Sequence, residues 1–203
     1  MMERVIAYID GFNLYHGLKD SGWKWGYWLD LPKLIENLLK PNQRLIKTKY
    51  FTSIVSFPNS KHKRQNTYLE ALMTLPNLEQ YYGHFLSHQK ECPHCHRVFY
   101  HTGEKMTDVN IAMHIFLDAM NNNFDNGLLV SADSDLGNIV DLAQKEFFKK
   151  ITVAFPPKRN SKLLKTKASG YIHIGRTEVS KSLLPDKVTK PNGFVLRKPG
   201  PWK

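Results

Sequence analysis

The residues best suited to chemistry are acidic, and they stand where strands are expected to end. Asp10 follows the apolar run Val5-Ile6-Ala7-Tyr8-Ile9 and opens the segment Asp10-Gly11-Phe12-Asn13. Asp133 and Asp135 follow Leu128-Leu129-Val130 in the segment Val130-Ser131-Ala132-Asp133-Ser134-Asp135. Asp108 joins them if the start of its helix faces the same edge. Crowded carboxylates repel one another unless a cation neutralises them, and hard oxygen ligands suit Mg²⁺ or Mn²⁺. Singly, each acid has a plainer use: Asp135 or Ser134 capping the next helix, Asp108 capping its own, Asp10 anchoring a turn with Gly11. Their joint placement at two strand ends and one helix start points to a divalent metal.

A second group has softer chemistry. His84, His88, Cys92, His94, Cys95, His96 and His101 put seven potential ligands into eighteen residues. Cys92-Pro93-His94-Cys95 has the spacing of a zinc knuckle, which takes two further ligands from elsewhere. His88 or His84 before the pair and His96 or His101 after it can complete the set, with His88 and His101 the candidates carried forward. A metal-free His-rich loop is the alternative. Redox use is weaker, because a redox CxxC normally opens a helix after a strand, whereas Arg97-Val98-Phe99-Tyr100 reads as one side of a ribbon.

The elements that must position these groups are legible as an alternation. Residues 5–9, 45–55, 78–82, 127–130, 151–155 and 171–174 read as strands, and 31–39, 67–75, 107–120, 136–147 and 162–167 as helices. Alternating strands and helices predict an α/β fold with a mostly parallel central sheet and helices on both faces. Residues 84–104 interrupt it as a small His/Cys-rich insertion, residues 176–203 read as a basic C-terminal tail, and the stretch 184–203 within it reads as irregular.

The composition bounds the partners. Net charge is +11 in 203 residues, with 17 Lys/Arg against 16 Asp/Glu up to residue 156 and 12 against 2 beyond it. That asymmetry suggests a polyanion, although a solvated tail that only aids solubility has the same signature. Lys61, His62, Lys63 and Arg64 form a second basic patch. The aromatics Trp23, Trp25, Tyr27 and Trp28 read as core or homodimer packing ahead of stacking surfaces. The apolar runs are too short to cross a membrane, the N-terminus lacks the layout of a signal peptide, and two cysteines make no disulfide scaffold. A cytoplasmic protein is expected.

Tyr8-Ile9-Asp10-Gly11-Phe12-Asn13-Leu14-Tyr15 resembles the opening Asp-Gly-x-Asn signature of the NYN domain, a branch of the PIN-like ribonuclease superfamily that includes bacterial DUF88 or LabA-like proteins. Glu104-Lys105-Met106-Thr107-Asp108-Val109 resembles that family's Lys-x-x-Asp-Val helix start. Leu129-Val130-Ser131-Ala132-Asp133-Ser134-Asp135 resembles its Ser-x-Asp-Ser-Asp strand end. The three motifs come in the family's order, and the resemblance covers about residues 3–175.

The resemblance implies a PIN-like three-layer fold and metal-dependent hydrolysis of phosphodiesters, most often of RNA, with single-stranded DNA as the other polymer. By matched position it implies Asp10, Asp108 and Asp133 as metal ligands, Asp135 as an additional acid, and Asn13 and Ser131 as polar positioners. Lys61, Lys63, Arg64 and Lys105 are the candidates for holding substrate. The chain departs from the family at His114, where another Asp is common, and His114 is expected to face the site. That departure keeps a second reading open, a non-catalytic RNA-binding or scaffold protein that retains the acidic pocket. A haloacid-dehalogenase-type phosphatase would need Asp and Thr where Phe12 and Leu14 stand, and neither GxGxxG nor GxxxxGK[ST] occurs.

Overall fold

In the computed structural model, which describes residues 2–55 and 58–202 and gives 85–88, 90 and 99–104 as backbone alone, the hydrophobic pattern of the first strand organises everything else. Along β1 (Glu3–Asp10), Val5, Ala7 and Ile9 enter one apolar cluster while Ile6 and Tyr8 enter another. A strand buried on both sides belongs in the middle of a sheet. It pairs with β2 (Gln43–Thr52), which pairs with β3 (Leu78–Tyr82). On its other edge lie β6 (Asn126–Val130), β7 (Lys150–Phe155) and β8 (Gly170–His173). Every neighbouring pair in the order β3-β2-β1-β6-β7-β8 is parallel. The chain winds outward from β1 to β3, then returns to β6 and winds outward the other way. Such a reversal opens a crevice at the carboxyl ends of β1 and β6, because the flanking connections leave in opposite directions.

Helices cover both faces. On one lie α1 (Gly11–Asp20), α2 (Leu31–Glu36) and α3 (Asn59–Leu72), burying Leu14, Leu18, Leu34, Ile35, Leu69 and Leu72. On the other lie α4 (Thr107–Met120), α5 (Gly137–Lys145) and α6 (Lys162–Lys167), burying Ile111, Ile115, Ala119, Ile139, Val140 and Leu164. α4 buries a narrower stripe than its sequence suggests: Val109, Phe116 and Met120 face outward. Ile111, Ile115 and Ala119, four apart, carry its apolar contact with the sheet. α3 begins earlier than its apolar spacing predicts, because its first two turns are polar and stand clear of the core.

The insertion is an antiparallel hairpin, β4 (His84–Glu91) with β5 (Val98–Lys105), paired from His84 opposite Lys105 to Glu91 opposite Val98. The chain beyond Gly175, expected as a tail irregular over 184–203, is folded. It forms α7 (Arg176–Lys181), a small hairpin of β9 (Lys187–Thr189) and β10 (Val195–Arg197), and a closing 3₁₀ turn, Gly200–Trp202. Val179, Leu184, Val188 and Leu196 are buried in the first cluster. Trp28 Nε1 donates to the Pro185 carbonyl at 2.9 Å, and Leu184 N to the Trp28 carbonyl at 3.0 Å. These apolar residues lie far apart in a Lys- and Pro-rich sequence and show no period, since each docks singly on a surface already formed.

Candidate active site

Asp10 ends β1 and caps α1. Its Oδ1 accepts from the Asn13 backbone N–H at 3.0 Å, and its Oδ2 accepts from Asn13 Nδ2 at 2.7 Å and from Ser131 Oγ at 2.9 Å. Ser131 Oγ in turn accepts from Asp133 N at 3.0 Å, and Asn13 Oδ1 accepts from Ala132 N at 3.3 Å. Two strand ends far apart in sequence are thus tied together by side chains. The turn leaves no room for a larger residue after Asp10: a Cβ on Gly11 would lie 2.7 Å from the Phe51 carbonyl oxygen and 2.8 Å from the Tyr50 hydroxyl.

The electrostatics suit a cation. Asp10 is 3% exposed, and burial raises its pKa above the ordinary carboxylate value. Hydrogen bonds from Asn13 and Ser131 oppose that rise, and the charge on Asp133 adds to it. Among the described residues no side chain forms an ion pair with Asp10. A buried acid next to a second acid, with no cationic partner, is a setting that a divalent ion neutralises.

Asp133 is half-buried, and its Oδ1 caps the 3₁₀ turn Ser134–Leu136 by accepting from Asp135 N at 2.9 Å. The cap uses one of its two carboxylate oxygens. Asp135 is exposed at the rim. Asp108 is half-buried at the second position of α4, a helix that packs against β1 and against the 3₁₀ turn. The chain enters α4 through Met106 in the left-handed region, φ 80°, a conformation uncommon for a residue with a side chain. Asp10, Asn13, Ser131 and Asp133 are linked by hydrogen bonds, with Asp108 one helix start away. Among the described residues no three His, Cys, Asp or Glu side chains gather closely enough to hold one ion.

His114 takes no part in these hydrogen bonds and has contacts of its own. Its ring packs 3.9 Å from that of Tyr81, and Nδ1 lies 3.4 Å from Lys49 Nζ. Burial and then the Lys49 charge lower its pKa, against opposing pulls from Asp118 and Glu79. Lys49 is committed to Asp118 at 2.6 Å, and both side chains are buried. Tyr8 donates to Asp118 at 2.7 Å and Asn123 Nδ2 at 3.0 Å. A lysine on β2, unremarkable in the sequence, draws His114 and Asp118 into a polar joint between sheet and helix.

Of the substrate candidates, Lys61 and Arg64 of α3 line a cavity beside Gly11, whereas Lys63 is exposed and lines no part of it. Lys105 is exposed at the base of the hairpin, two residues before α4. Cys92 and Cys95 sit at the hairpin tip as free thiols, with His96 N donating to the Cys92 carbonyl at 2.9 Å. Backbone N–H groups of His94 and Cys95 and the Cys95 thiol lower the Cys92 pKa. The side chains of His88 and His101 lie outside the described residues. Their backbones pair with each other, with His88 four residues before Cys92. Five aromatics that the sequence does not single out for a site also line the cavity: Phe12, Tyr15, Tyr50, Tyr68 and Trp202.

Among the described residues no helix is long and apolar enough to cross a membrane. No curated protein matches the sequence. Among solved structures, the chain is similar to VPA0982, a protein of unknown function from Vibrio parahaemolyticus. The two share 19% identity and a TM-score of 0.57, over 90% of this chain and 97% of that one. That likeness shows a shared fold. Residues 4–175 match the NYN domain, whose members are generally nucleases, and with its ordered motifs lying on the expected strand ends and helix start the chain belongs to the NYN family.

Proposed function

We propose that the protein is a divalent-metal-dependent ribonuclease whose reaction centre is the crevice between the ends of β1 and β6. The observation that carries this is the Asp10–Ser131–Asp133 linkage at the point where the sheet changes winding direction. Asp10 and Asp133, with Asp108 from the start of α4, would hold the ion. When bound, it lowers the pKa of a coordinated water and offsets charge on the phosphate.

The chain's own groups do the positioning. Asn13 and Ser131 fix the Asp10 carboxylate through three hydrogen bonds, so it does not have to reorganise when substrate arrives. Asp135, exposed at the rim, is placed to meet outer waters or ions. The exposed Lys105 and the Lys61–Arg64 pair offer countercharge for a phosphate backbone. A separate structural zinc position is read at the hairpin tip, where Cys92 and Cys95 are close in space and supply two thiolates.

The test is cleavage of labelled single-stranded RNA with Mn²⁺ or Mg²⁺, beside Asp10→Asn protein and an EDTA control. Cleavage by the unsubstituted protein alone, stopped by EDTA, is the expected result. A second reading draws on the His114 network and on the absence of a gathered three-ligand set among the described residues. It makes the chain a non-catalytic RNA-binding protein. RNA binding without cleavage, unchanged by EDTA and by Asp10→Asn, would establish that reading in place of the first.

A further inference from the structure

A cavity of about 500 Å³ opens directly beside the acidic cluster. It begins at Gly11, the residue after Asp10, and runs between α1, α3, the end of β2 and the closing 3₁₀ turn. Its volume lies within the roughly 300–1,000 Å³ of small-ligand sites. Aromatic rings make much of its wall: Tyr15 and Tyr27 have centroids 5.0 Å apart, and Tyr27 and Trp202 5.7 Å. Lys24, Lys61 and Arg64 are among the lining residues, and among the described residues no carboxylate is. None of these three cations is in an ion pair among the described residues.

Each property narrows the occupant. Aromatic walls favour a ligand with flat π faces. Unpaired cations without a carboxylate favour an anion, and a neutral apolar ligand would leave them unused. An acidic peptide supplies the charge but lacks the flat faces. A nucleotide has both.

We propose that this cavity binds a base and its adjoining phosphate from single-stranded RNA, seating the strand so that a neighbouring linkage reaches the Asp10 crevice. The choice of RNA rests on the nuclease reading above, while the flat anionic chemistry rests on the cavity itself. Trp202 makes the C-terminal end of the chain one wall of the site, so the fold beyond Gly175 shapes substrate binding by contact as well as by charge.

The test is fluorescence anisotropy of a short fluorescein-labelled oligouridylate on Asp10→Asn protein with Mg²⁺ present, so that binding is read apart from cleavage. Tyr15→Ala should weaken binding about tenfold, as expected for the loss of one base–aromatic stack. Tyr15→Phe should restore it, because the ring and not the hydroxyl is used. Lys61→Gln with Arg64→Gln, on the polar side of α3, should flatten the log–log salt dependence by about 1.4 for two single-strand phosphate contacts. Melting temperatures should not change in any of the three variants.

Oligonucleotide bound with unaltered affinity and salt slope by all the variants overturns the cavity proposal and leaves the nuclease reading standing. Absence of binding by the parent protein overturns the proposal as well. If the unsubstituted protein fails to cleave RNA while the variants still weaken binding, the cavity proposal holds and the nuclease reading falls. Should Tyr15→Ala misfold, the lysine–arginine pair supplies the decision alone.

Discussion

Asp10 is held in a costly state, buried beside another acid with its pKa pushed upward, and its stability contribution therefore has a definite sign. A carboxyl whose folded pKa is raised stabilises the native protein while it is protonated, and that contribution is lost as pH rises through the folded value. Asp10→Asn removes the charge and keeps an oxygen that can accept from the Asn13 N–H, since Asn and Asp cap a helix about equally well. Relative to the unsubstituted protein, the variant should therefore gain stability between acid and neutral pH while losing cleavage entirely. Denaturant midpoints over that range check it, and a gap that moves in favour of the unsubstituted protein as pH rises would count against a strained acid. The position of Asp10 was legible because the end of an apolar run is a local signal, whereas Asn13 was legible only through its place in the family's Asp-Gly-x-Asn signature. The Ser131 bridge crosses 121 residues and the Lys49 attraction on His114 crosses 65, and no local pattern encodes either.

Elements were legible where a period or a cap wrote them into the sequence. α4 opens at Thr107 and ends at Met120 as its apolar spacing predicts, and α2 has Asp30 accepting from Lys33 N at 3.0 Å. The polar start of α3 had no such mark. What locks α4 to the sheet is the Lys49–Asp118 pair, where burial raises the acid's pKa but hydrogen bonds from Lys49, Asn123 and Tyr8 outweigh it and hold it low. A depressed carboxylate stabilises the fold above its unfolded pKa, and that stabilisation is lost as pH falls through the folded one. Lys49→Met should cost about 3–5 kcal/mol by stranding Asp118, and the double variant Lys49→Met, Asp118→Leu should cost less than the sum of the singles. Urea unfolding of the four proteins measures this, and strict additivity would show that the two groups act independently. The β4–β5 hairpin poses a different question, because it pairs with no strand of the main sheet. Purified protein should carry zinc that Cys92→Ser and Cys95→Ser each remove, with increased proteolysis within residues 84–105. Elemental analysis showing no zinc in the unsubstituted protein, or the same content in the variants, would leave the cysteines without a metal role.

At the scale of the whole molecule the basic C-terminal stretch carries two loads that the sequence made to look like one. Its charge was legible from counting, but its packing was not. Removing everything after Gly175 would strip Val179, Leu184, Val188 and Leu196 from the first core. At about 1.5–3 kcal/mol for each buried apolar side chain, the loss rivals the roughly 5–15 kcal/mol that holds a domain folded. The truncated chain should therefore melt without a cooperative transition, and any loss of RNA binding in it would report unfolding. The charge has to be removed while the scaffold stays. Lys181, Lys187 and Arg197 are exposed, and none forms an ion pair among the described residues. Changing all three to Gln should leave the melting temperature within the range of surface substitutions, while RNA affinity falls and the log–log salt slope flattens by about 2 if each meets a phosphate. An unchanged slope in a folded triple variant would mean that the strand does not run along this face. The countercharge for RNA would then lie with the cations around the cavity, and the stretch beyond Gly175 would serve as core and as the wall that ends in Trp202.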